Sequence, residues 1–262
     1  MKKTLLLTAF LVLSSITGYA STVVVTFGVN TLDRGMSTFT GTYLGESGSV
    51  NLIMTGNNGQ SYTSSGLTAF DGDSTGITIT TGAGACGGPG CLTTGNVKDS
   101  YDSTQNPNKF FDIFGANMAT GDNGGCINVG SGGYTMQLGG LSSGVYTLTM
   151  LVGRGNTSYG TASSTYTLDG TGITGLSANI LDHSAGMSAS LDGTDLTLGR
   201  GEGDWALVEY TFTVTADNTT LNLKSEGSGN IGALALASVP EPATASLGLL
   251  GLGVLLIRRR RA

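Results

Sequence analysis

The sequence predicts an all-β fold, an antiparallel β-sandwich of jelly-roll type, with a helical segment at each end of the chain. Three observations lead to this prediction. Apolar residues alternate with Thr, Ser and Asn through many short runs, as in strands with one buried and one wet face. Gly, Asp and Asn separate the runs, as tight turns require, and 44 of the 262 residues are Gly. No segment between the two ends is a strong candidate for an amphipathic helix.

The N-terminal residues 1–20 have the pattern of a secretory signal peptide. Two lysines follow the initial Met, Leu5–Ile16 is mainly apolar, and Gly-Tyr-Ala at 18–20 is a small-x-small site. We therefore predict a signal helix and cleavage between Ala20 and Ser21. The alternative, an uncleaved membrane anchor, is less favoured because the apolar run is short and ends in small residues.

Residues 21–238 are predicted to form one secreted β-sandwich domain of about ten short strands. The pattern is clearest at Tyr210–Val214, where aromatic and branched residues alternate with Thr. Val23–Phe27 and Ile231–Ala237 are more continuously apolar, which predicts that the first and last strands are well covered. A right-handed β-helix is the alternative, but no repeat of about 20–50 residues is present. Further alternating runs are Ile77–Thr80, Tyr134–Leu138, Val145–Val152, Ser164–Leu168 and Thr220–Leu223.

A less regular segment, residues 81–133, is predicted to form long loops around one strand at Phe110–Phe114. It holds all three cysteines. Cys86 and Cys91 flank a Gly-Gly-Pro-Gly turn, so in an exported protein we predict a disulfide between them. Cys126 could displace either one, or all three could remain thiols. No metal site is expected, because the chain has one His and no second close Cys pair.

The charge of the predicted body argues against two classes of partner. The two targeting ends hold 6 of the 12 basic residues and one of the 18 acidic residues, so the body carries a net charge of about −11. A surface this acidic should not bind nucleic acid or anionic lipid.

A cluster of carboxylates surrounds Trp205, the one tryptophan. Glu202, Asp204 and Glu209 could supply the acid pair of a glycosidase, and Trp205 could stack on a sugar ring as a ligand contact. The alternative is that Trp205 begins a core strand. We predict no catalytic residue, because this cluster alone does not form a convincing catalytic constellation.

Other chemical candidates have ordinary explanations. Two G-x-S-x-G segments, 72–76 and 140–144, lack the following helix and the His base of a nucleophile elbow. His183 is the one histidine and adjoins Asp182, which allows a general base but is more typical of a surface loop. No cofactor is expected. Calcium binding is an open alternative, although the sequence lacks the ligand spacing of an EF-hand. The oxygen ligands available for calcium are Asp71, Asp73, Asp122 and Asn123.

The C-terminal residues 239–262 combine a rigid joint, an apolar run and a basic end. Prolines exclude a helix interior at the joint, and Ala243–Ile257 carries no charge. As a helix this run would extend about 22 Å, against a hydrocarbon core of about 30 Å, with snorkelling arginines covering part of the difference. We predict a transmembrane helix with its basic end in the cytoplasm; the alternative is a core helix. The joint and the basic end are Val239, Pro240, Glu241, Pro242, Arg258, Arg259, Arg260 and Arg261.

This tail resembles the PEP-CTERM sorting signal of Gram-negative bacteria, whose three parts are present here in order. The resemblance implies recognition by an exosortase, a membrane cysteine protease or transpeptidase that processes its substrates near the motif. It also implies an association with export of extracellular polysaccharide. Within the body, residues 138–148 and 229–234 resemble the hairpin and closing strand of galactose-binding-like sandwich modules.

We therefore expect an exported protein that passes through an inner-membrane intermediate to the cell surface or extracellular matrix. Its body is expected to be non-catalytic and to interact with polysaccharide or with neighbouring envelope components. The alternative is a secreted carbohydrate-active enzyme, a glycoside hydrolase or lyase, on the same scaffold.

Overall fold

Strand pairing in the computed structural model arranges the body as two β-sheets. The structure describes residues 21–30, 35–56, 61–82, 85–86, 113–114, 126–128, 135–153, 163–183, 188–199, 205–226 and 230–239. These residues form sixteen strands, more than the ten predicted. The strands are β1 (Thr22–Asn30), β2 (Gly35–Tyr43), β3 (Glu46–Gly56), β4 (Tyr62–Thr63), β5 (Thr78–Thr81), β6 (Ala85–Cys86), β7 (Cys126–Asn128), β8 (Met136–Leu141), β9 (Gly144–Gly153), β10 (Ser164–Asp169), β11 (Ile173–His183), β12 (Ala189–Asp192), β13 (Asp195–Leu198), β14 (Trp205–Val214), β15 (Thr219–Glu226) and β16 (Asn230–Val239).

The first sheet, called sheet A, has the strand order β11-β14-β9-β16-β1-β3-β2, and the short pair β6-β7 joins it at β16. The second, sheet B, has the order β12-β13-β10-β15-β8-β5-β4. Antiparallel pairing predominates among the described strands, and β1 and β3 pair in parallel. The prediction of an all-β fold with two mostly antiparallel sheets is confirmed. Both predicted terminal helices lie outside the described residues.

The main core lies between the two sheets, where alternating strands bring their apolar faces together. In β14, Tyr210, Phe212 and Val214 are buried while Glu209, Thr211 and Thr213 are partly exposed, as the threonine alternation predicts. Strands β8, β10 and β15 contribute the same kind of face from sheet B. The centre of this core includes Phe27, Ile53, Leu138, Leu148, Tyr166, Val208 and Leu223.

Sheet A is also buried on part of its outer face. A second group of buried residues lies there, here called the outer cluster: Val24, Val50, Phe114, Leu151, Trp205, Leu207, Ala233 and Ala235. Because Val24 and Ala233 are buried on this side and Val25 and Leu234 on the other, β1 and β16 are covered on both faces. The prediction from their continuous apolar runs is confirmed.

Tyr43, Phe70 and Ile113 pack against the outer cluster. The ring of Tyr43 lies 5.9 Å from that of Phe70 and 5.8 Å from that of Phe114. The backbone N–H of Leu44 donates to the carbonyl of Ile113 at 2.6 Å. Ile113 and Phe114 have helical backbone conformation, so the predicted strand at 110–114 is wrong for these two residues. Their value to the fold is an apolar cover for sheet A.

Residues Ser21–Ser238 form one compact unit. All the strands belong to it except for Val239, the last residue of β16. The predicted domain boundaries near both ends of this unit stay predictions, because residues 1–20 and 240–262 lie outside the described residues.

Candidate functional site

The two ends of the body meet in the middle of sheet A. Strands β1 and β16 are antiparallel neighbours, with Thr22 opposite Ala237. The N–H of Ser238 donates to the carbonyl of Ser21 at 3.0 Å, and the N–H of Ser21 donates to Oγ of Ser238 at 3.0 Å. The predicted signal-cleavage point and the start of the sorting segment therefore lie at the same end of two paired strands.

The sorting segment begins where the last strand ends. Val239 closes β16 and is 42% exposed. Pro240, Glu241, Pro242 and the terminal arginines lie outside the described residues, as does Ala20. Within the part of the chain that the structure describes, no helix has the length and apolar character needed to cross a bilayer; the predicted membrane helix falls outside that part.

Trp205, predicted as a ligand contact, is a core residue in this conformation. It is the first residue of β14 and only 3% exposed, within the outer cluster. This position agrees with the alternative in which Trp205 begins a core strand. A sugar ring would have to displace part of the outer cluster to stack on the indole.

Glu209 is the one member of the predicted carboxylate group that the structure describes. It lies on the outer face of sheet A, between Thr149 of β9 and Asn179 of β11 in the pairing register. The phenol of Tyr43 interacts with both Glu209 and Thr149. Burial and the charge of Glu209 raise the pKa of Tyr43, and a hydrogen bond with Thr149 partly offsets this rise. A carboxylate beside a neutral phenol can orient a hydroxyl-bearing ligand, but glycoside hydrolysis needs a second carboxylate.

The serine candidates occupy turns and not nucleophile elbows. Ser142 and Ser143 form the connection between β8 and β9, so a strand follows them where an elbow requires a helix. The N–H and Oγ of Ser143 both donate to Asp217, at 2.7 and 3.1 Å, and these bonds lower the pKa of the Asp217 carboxyl. Ser74 forms an isolated bridge with Thr68. These serines serve as turn residues.

The histidine and calcium candidates have local partners in the described residues. Asp182 accepts a hydrogen bond from the backbone N–H of His183 at 2.9 Å, at the end of β11. Asp71 accepts from the N–H of Asp73 at 3.1 Å in an exposed turn. Asp122 and Asn123 lie outside the described residues. Among the residues described, no three His, Cys, Asp or Glu side chains are grouped closely enough to hold a metal ion.

A row of polar side chains crosses the wet face of sheet B, and the sequence gives no sign of it. Gln137 donates from Nε2 to Oδ1 of Asn222 at 2.7 Å, and Asn222 donates from Nδ2 to Oδ1 of Asp169 at 2.8 Å. Thr80 lies opposite Gln137 in the strand register. The hydroxyls of Thr80 and Thr63 are hydrogen-bonded to each other at 3.0 Å and continue the row. We call these five residues the polar row. They are far apart in the sequence, so only the strand register brings them together.

Comparison with known proteins identifies the tail. Residues 238–262 match the model of the PEP-CTERM protein-sorting motif. No curated protein and no solved structure matches the chain significantly. The resemblance of the tail to a PEP-CTERM signal is thus confirmed, whereas nothing supports the resemblance of the body to galactose-binding-like modules. The motif marks an exported protein targeted to an exosortase by way of a membrane-anchored intermediate.

Proposed function

We propose that this chain is a non-enzymatic protein of the cell surface or extracellular matrix, whose β-sandwich body is released from a membrane-anchored precursor by an exosortase. The observation that carries the proposal is the PEP-CTERM match over residues 238–262, which begins at the end of the last strand. Processing after Val239 would leave β16 complete, so the folded body would survive the cut.

The proposed partner of the body is extracellular polysaccharide, bound on the wet face of sheet B. The polar row supports this, because hydroxyls and amides both donate and accept hydrogen bonds, as sugar hydroxyls do. Asp169 and Thr63 at its two ends are exposed, and Thr80, Gln137 and Asn222 between them are partly exposed. The acidic body favours a neutral or basic polysaccharide over an acidic one.

The body is further proposed to be a jelly roll over strands β8–β15. Nested pairing supports this assignment: β8 pairs with β15, β9 with β14 and β10 with β13. The innermost strands, β11 and β12, also contact each other. A jelly roll, which consists of eight strands in two Greek keys, has this nested order. Galactose-binding-like modules would be one family of such sandwiches, and the residues that resemble them fall in β8, β9 and β16.

A carbohydrate-active enzyme is the alternative function. It would use Glu209 with a second carboxylate, and the candidates Glu202 and Asp204 lie outside the described residues. The described residues offer no observation that favours it over binding alone.

The sorting part of the proposal is tested in a Gram-negative host with and without its exosortase gene. With the enzyme, the body should leave the membrane fraction; without it, the precursor should stay in the inner membrane. Replacing both motif prolines (Pro240→Ala with Pro242→Ala) should retain the precursor as the deletion does. Thr40→Ala, an exposed change on β2, is the matched control. Release that is equal in both hosts would contradict the proposal.

The binding part is tested with the exported protein on a panel of insoluble polysaccharides, measuring both co-sedimentation and new reducing ends. Binding without product is expected, and Asn222→Ala should weaken it several-fold because it removes the hydrogen bonds to both Gln137 and Asp169. Thr211→Ala, a partly exposed change on sheet A, should bind as the unchanged protein does. Release of reducing ends would favour the enzyme.

A further inference from the structure

The backbone register places two cysteines opposite each other. Strands β6 (Ala85–Cys86) and β7 (Cys126–Asn128) pair antiparallel, with Ala85 opposite Ile127 and Cys86 opposite Cys126. Directly opposed residues of an antiparallel pair have Cα atoms about 4.5 or 5.5 Å apart, depending on their place in the ladder. Disulfides join residues whose Cα atoms are about 4.4–6.8 Å apart, so both places satisfy the requirement.

We propose that Cys86 and Cys126 form a disulfide in the exported protein and that Cys91 remains a thiol. This replaces the pairing of Cys86 with Cys91 that the short Gly-Gly-Pro-Gly spacing suggests. Spacing in the sequence shows only that the Cys86–Cys91 loop can close, whereas the strand register places the backbones of Cys86 and Cys126 directly opposite each other. The proposal requires export to an oxidising compartment, which the sorting motif implies, and does not depend on polysaccharide binding.

The cross-link would join β6 to β7, which stand before and after Ile113 and Phe114 in the sequence. Strand β7 also pairs with β16, with Ile127 opposite Ile231, so one cysteine belongs to a strand anchored in the sheet. Ile113 and Phe114 lie between these two cysteines in the sequence. Phe114 is fully buried in the outer cluster, so the disulfide would tie the cover to the sheet it covers.

Formation of the bond is an oxidation of two thiols to one disulfide, with loss of two protons and two electrons. A disulfide-bearing thiol oxidase of the cell envelope supplies the oxidant through thiol–disulfide exchange. One cysteine thiolate attacks the oxidase disulfide, and the second cysteine then displaces the reduced oxidase from the mixed disulfide. The oxidase leaves with both electrons as a dithiol.

Trypsin separates the cysteines in a way that distinguishes the pairings. Cleavage after Arg34, Lys98, Lys109 and Arg154 places Cys86 and Cys91 on peptide 35–98 and Cys126 on peptide 110–154. The full precursor is produced in an oxidising envelope, alkylated with iodoacetamide in denaturant without reduction, digested and mapped by mass spectrometry. We expect the two peptides to be linked, with the alkyl group on Cys91. Separate peptides, an alkylated Cys86 or an alkylated Cys126 would overturn the proposal.

Two matched variants give a second readout. Cys126→Ser should lower the midpoint of thermal unfolding by roughly 5–15 °C, because it opens a long loop in the unfolded state. Cys91→Ser should leave the midpoint and the peptide cross-link unchanged. A reducing agent should bring the unchanged protein down to the Cys126→Ser midpoint. A larger loss for Cys91→Ser than for Cys126→Ser would overturn the proposal, and the peptide map decides if either variant fails to fold.

Discussion

Asn51 and Thr68 bind each other through two hydrogen bonds, as if the Asn51 side chain were a backbone peptide. Nδ2 of Asn51 donates to the carbonyl of Thr68 at 2.7 Å, and Oδ1 accepts from the N–H of Thr68 at 2.9 Å. The same Nδ2 donates to the carbonyl of Val24 at 3.0 Å. Asn51 is fully buried, so this one amide joins the loop around Thr68 to the inner strands of sheet A.

Asn51→Ala should lower the free energy of unfolding by about 2–4 kcal/mol, since it breaks three hydrogen bonds and leaves buried partners unsatisfied. Urea denaturation followed by circular dichroism measures the loss. Asn179→Ala, an exposed change on β11, is the control and should cost less than about 0.5 kcal/mol. Equal losses for the two variants would show that the Asn51 amide is not a structural link.

The strands that the sequence predicts are those with one strongly apolar face. Tyr210–Val214 and Val145–Val152 lie within β14 and β9, because burial of one face selects alternating apolar residues. The hairpin of β2 and β3 was missed. Its strand β2 is rich in Gly, Ser and Thr, and its turn residue Leu44 has φ of 50°, where Asn or Gly would be the expected signal.

The site was harder to predict than the strands. Carboxylates near Trp205 in the sequence suggested a ligand contact, but Trp205 is buried in the outer cluster, which includes Phe114 from a distant part of the chain. The polar row could not be predicted from the sequence, because Gln137 and Asn222 become neighbours only through strand pairing. The tail was predictable because its three parts are contiguous in the sequence and act without the fold.

Phe114→Ala should open the outer cluster. The ring is fully buried against Tyr43, and its loss should cost about 3–5 kcal/mol. Because Trp205 is the one tryptophan and lies in the same cluster, its emission should shift to the red and acrylamide should quench it more strongly. Leu138→Ala, in the core between the sheets, should destabilise the protein without changing native Trp205 quenching. Unchanged quenching in Phe114→Ala would show that the Phe114 ring does not shield Trp205 from solvent.

Two buried tyrosines should respond in opposite ways to loss of the hydroxyl. The hydroxyl of Tyr210 is buried and has no hydrogen-bond partner among the described residues, so Tyr210→Phe should keep or raise stability by about 1 kcal/mol. The hydroxyl of Tyr146 donates to the carbonyl of Ser142 at 3.0 Å, so Tyr146→Phe should lose about 1 kcal/mol. Urea midpoints compare them; a loss in Tyr210→Phe would reveal a partner.

The same tyrosine predicts an alkaline limit to stability. Burial, with a smaller effect of the Asp195 charge, raises the pKa of Tyr210 far above the ordinary value of 10.0. Above about pH 10 the unfolded phenol loses its proton while the folded one keeps it, so the free energy of unfolding falls as pH rises. The contribution is complete below pH 10. The urea midpoint should fall less between pH 8 and pH 11 in Tyr210→Phe than in the unchanged protein. An equal fall in the two proteins would assign the effect to other groups.

Gly48 is predicted to tolerate no side chain. A Cβ there would meet the carbonyl oxygen of Phe70, and would come within 2.7 Å of its ring. Because the N–H of Ser49 donates to that same carbonyl at 2.8 Å, the backbone cannot move away without breaking a bond. Gly48→Ala should therefore cost more than about 1 kcal/mol. Gly35→Ala, with nothing within 4 Å of its Cβ, should be neutral or slightly stabilising. Thermal unfolding of the two variants and the unchanged protein measures both effects.

The central claim is that the body is released by processing at both of its paired ends, and the intact mass of the exported protein tests it most directly. The protein is collected from the cell surface or medium of an exosortase-positive host, and both termini are sequenced by mass spectrometry. We expect an N-terminus at Ser21 and a C-terminus near Val239, without the four terminal arginines. Surface protein that still carries Arg258–Arg261, or a precursor that keeps residues 1–20 inside the cell, would contradict the account.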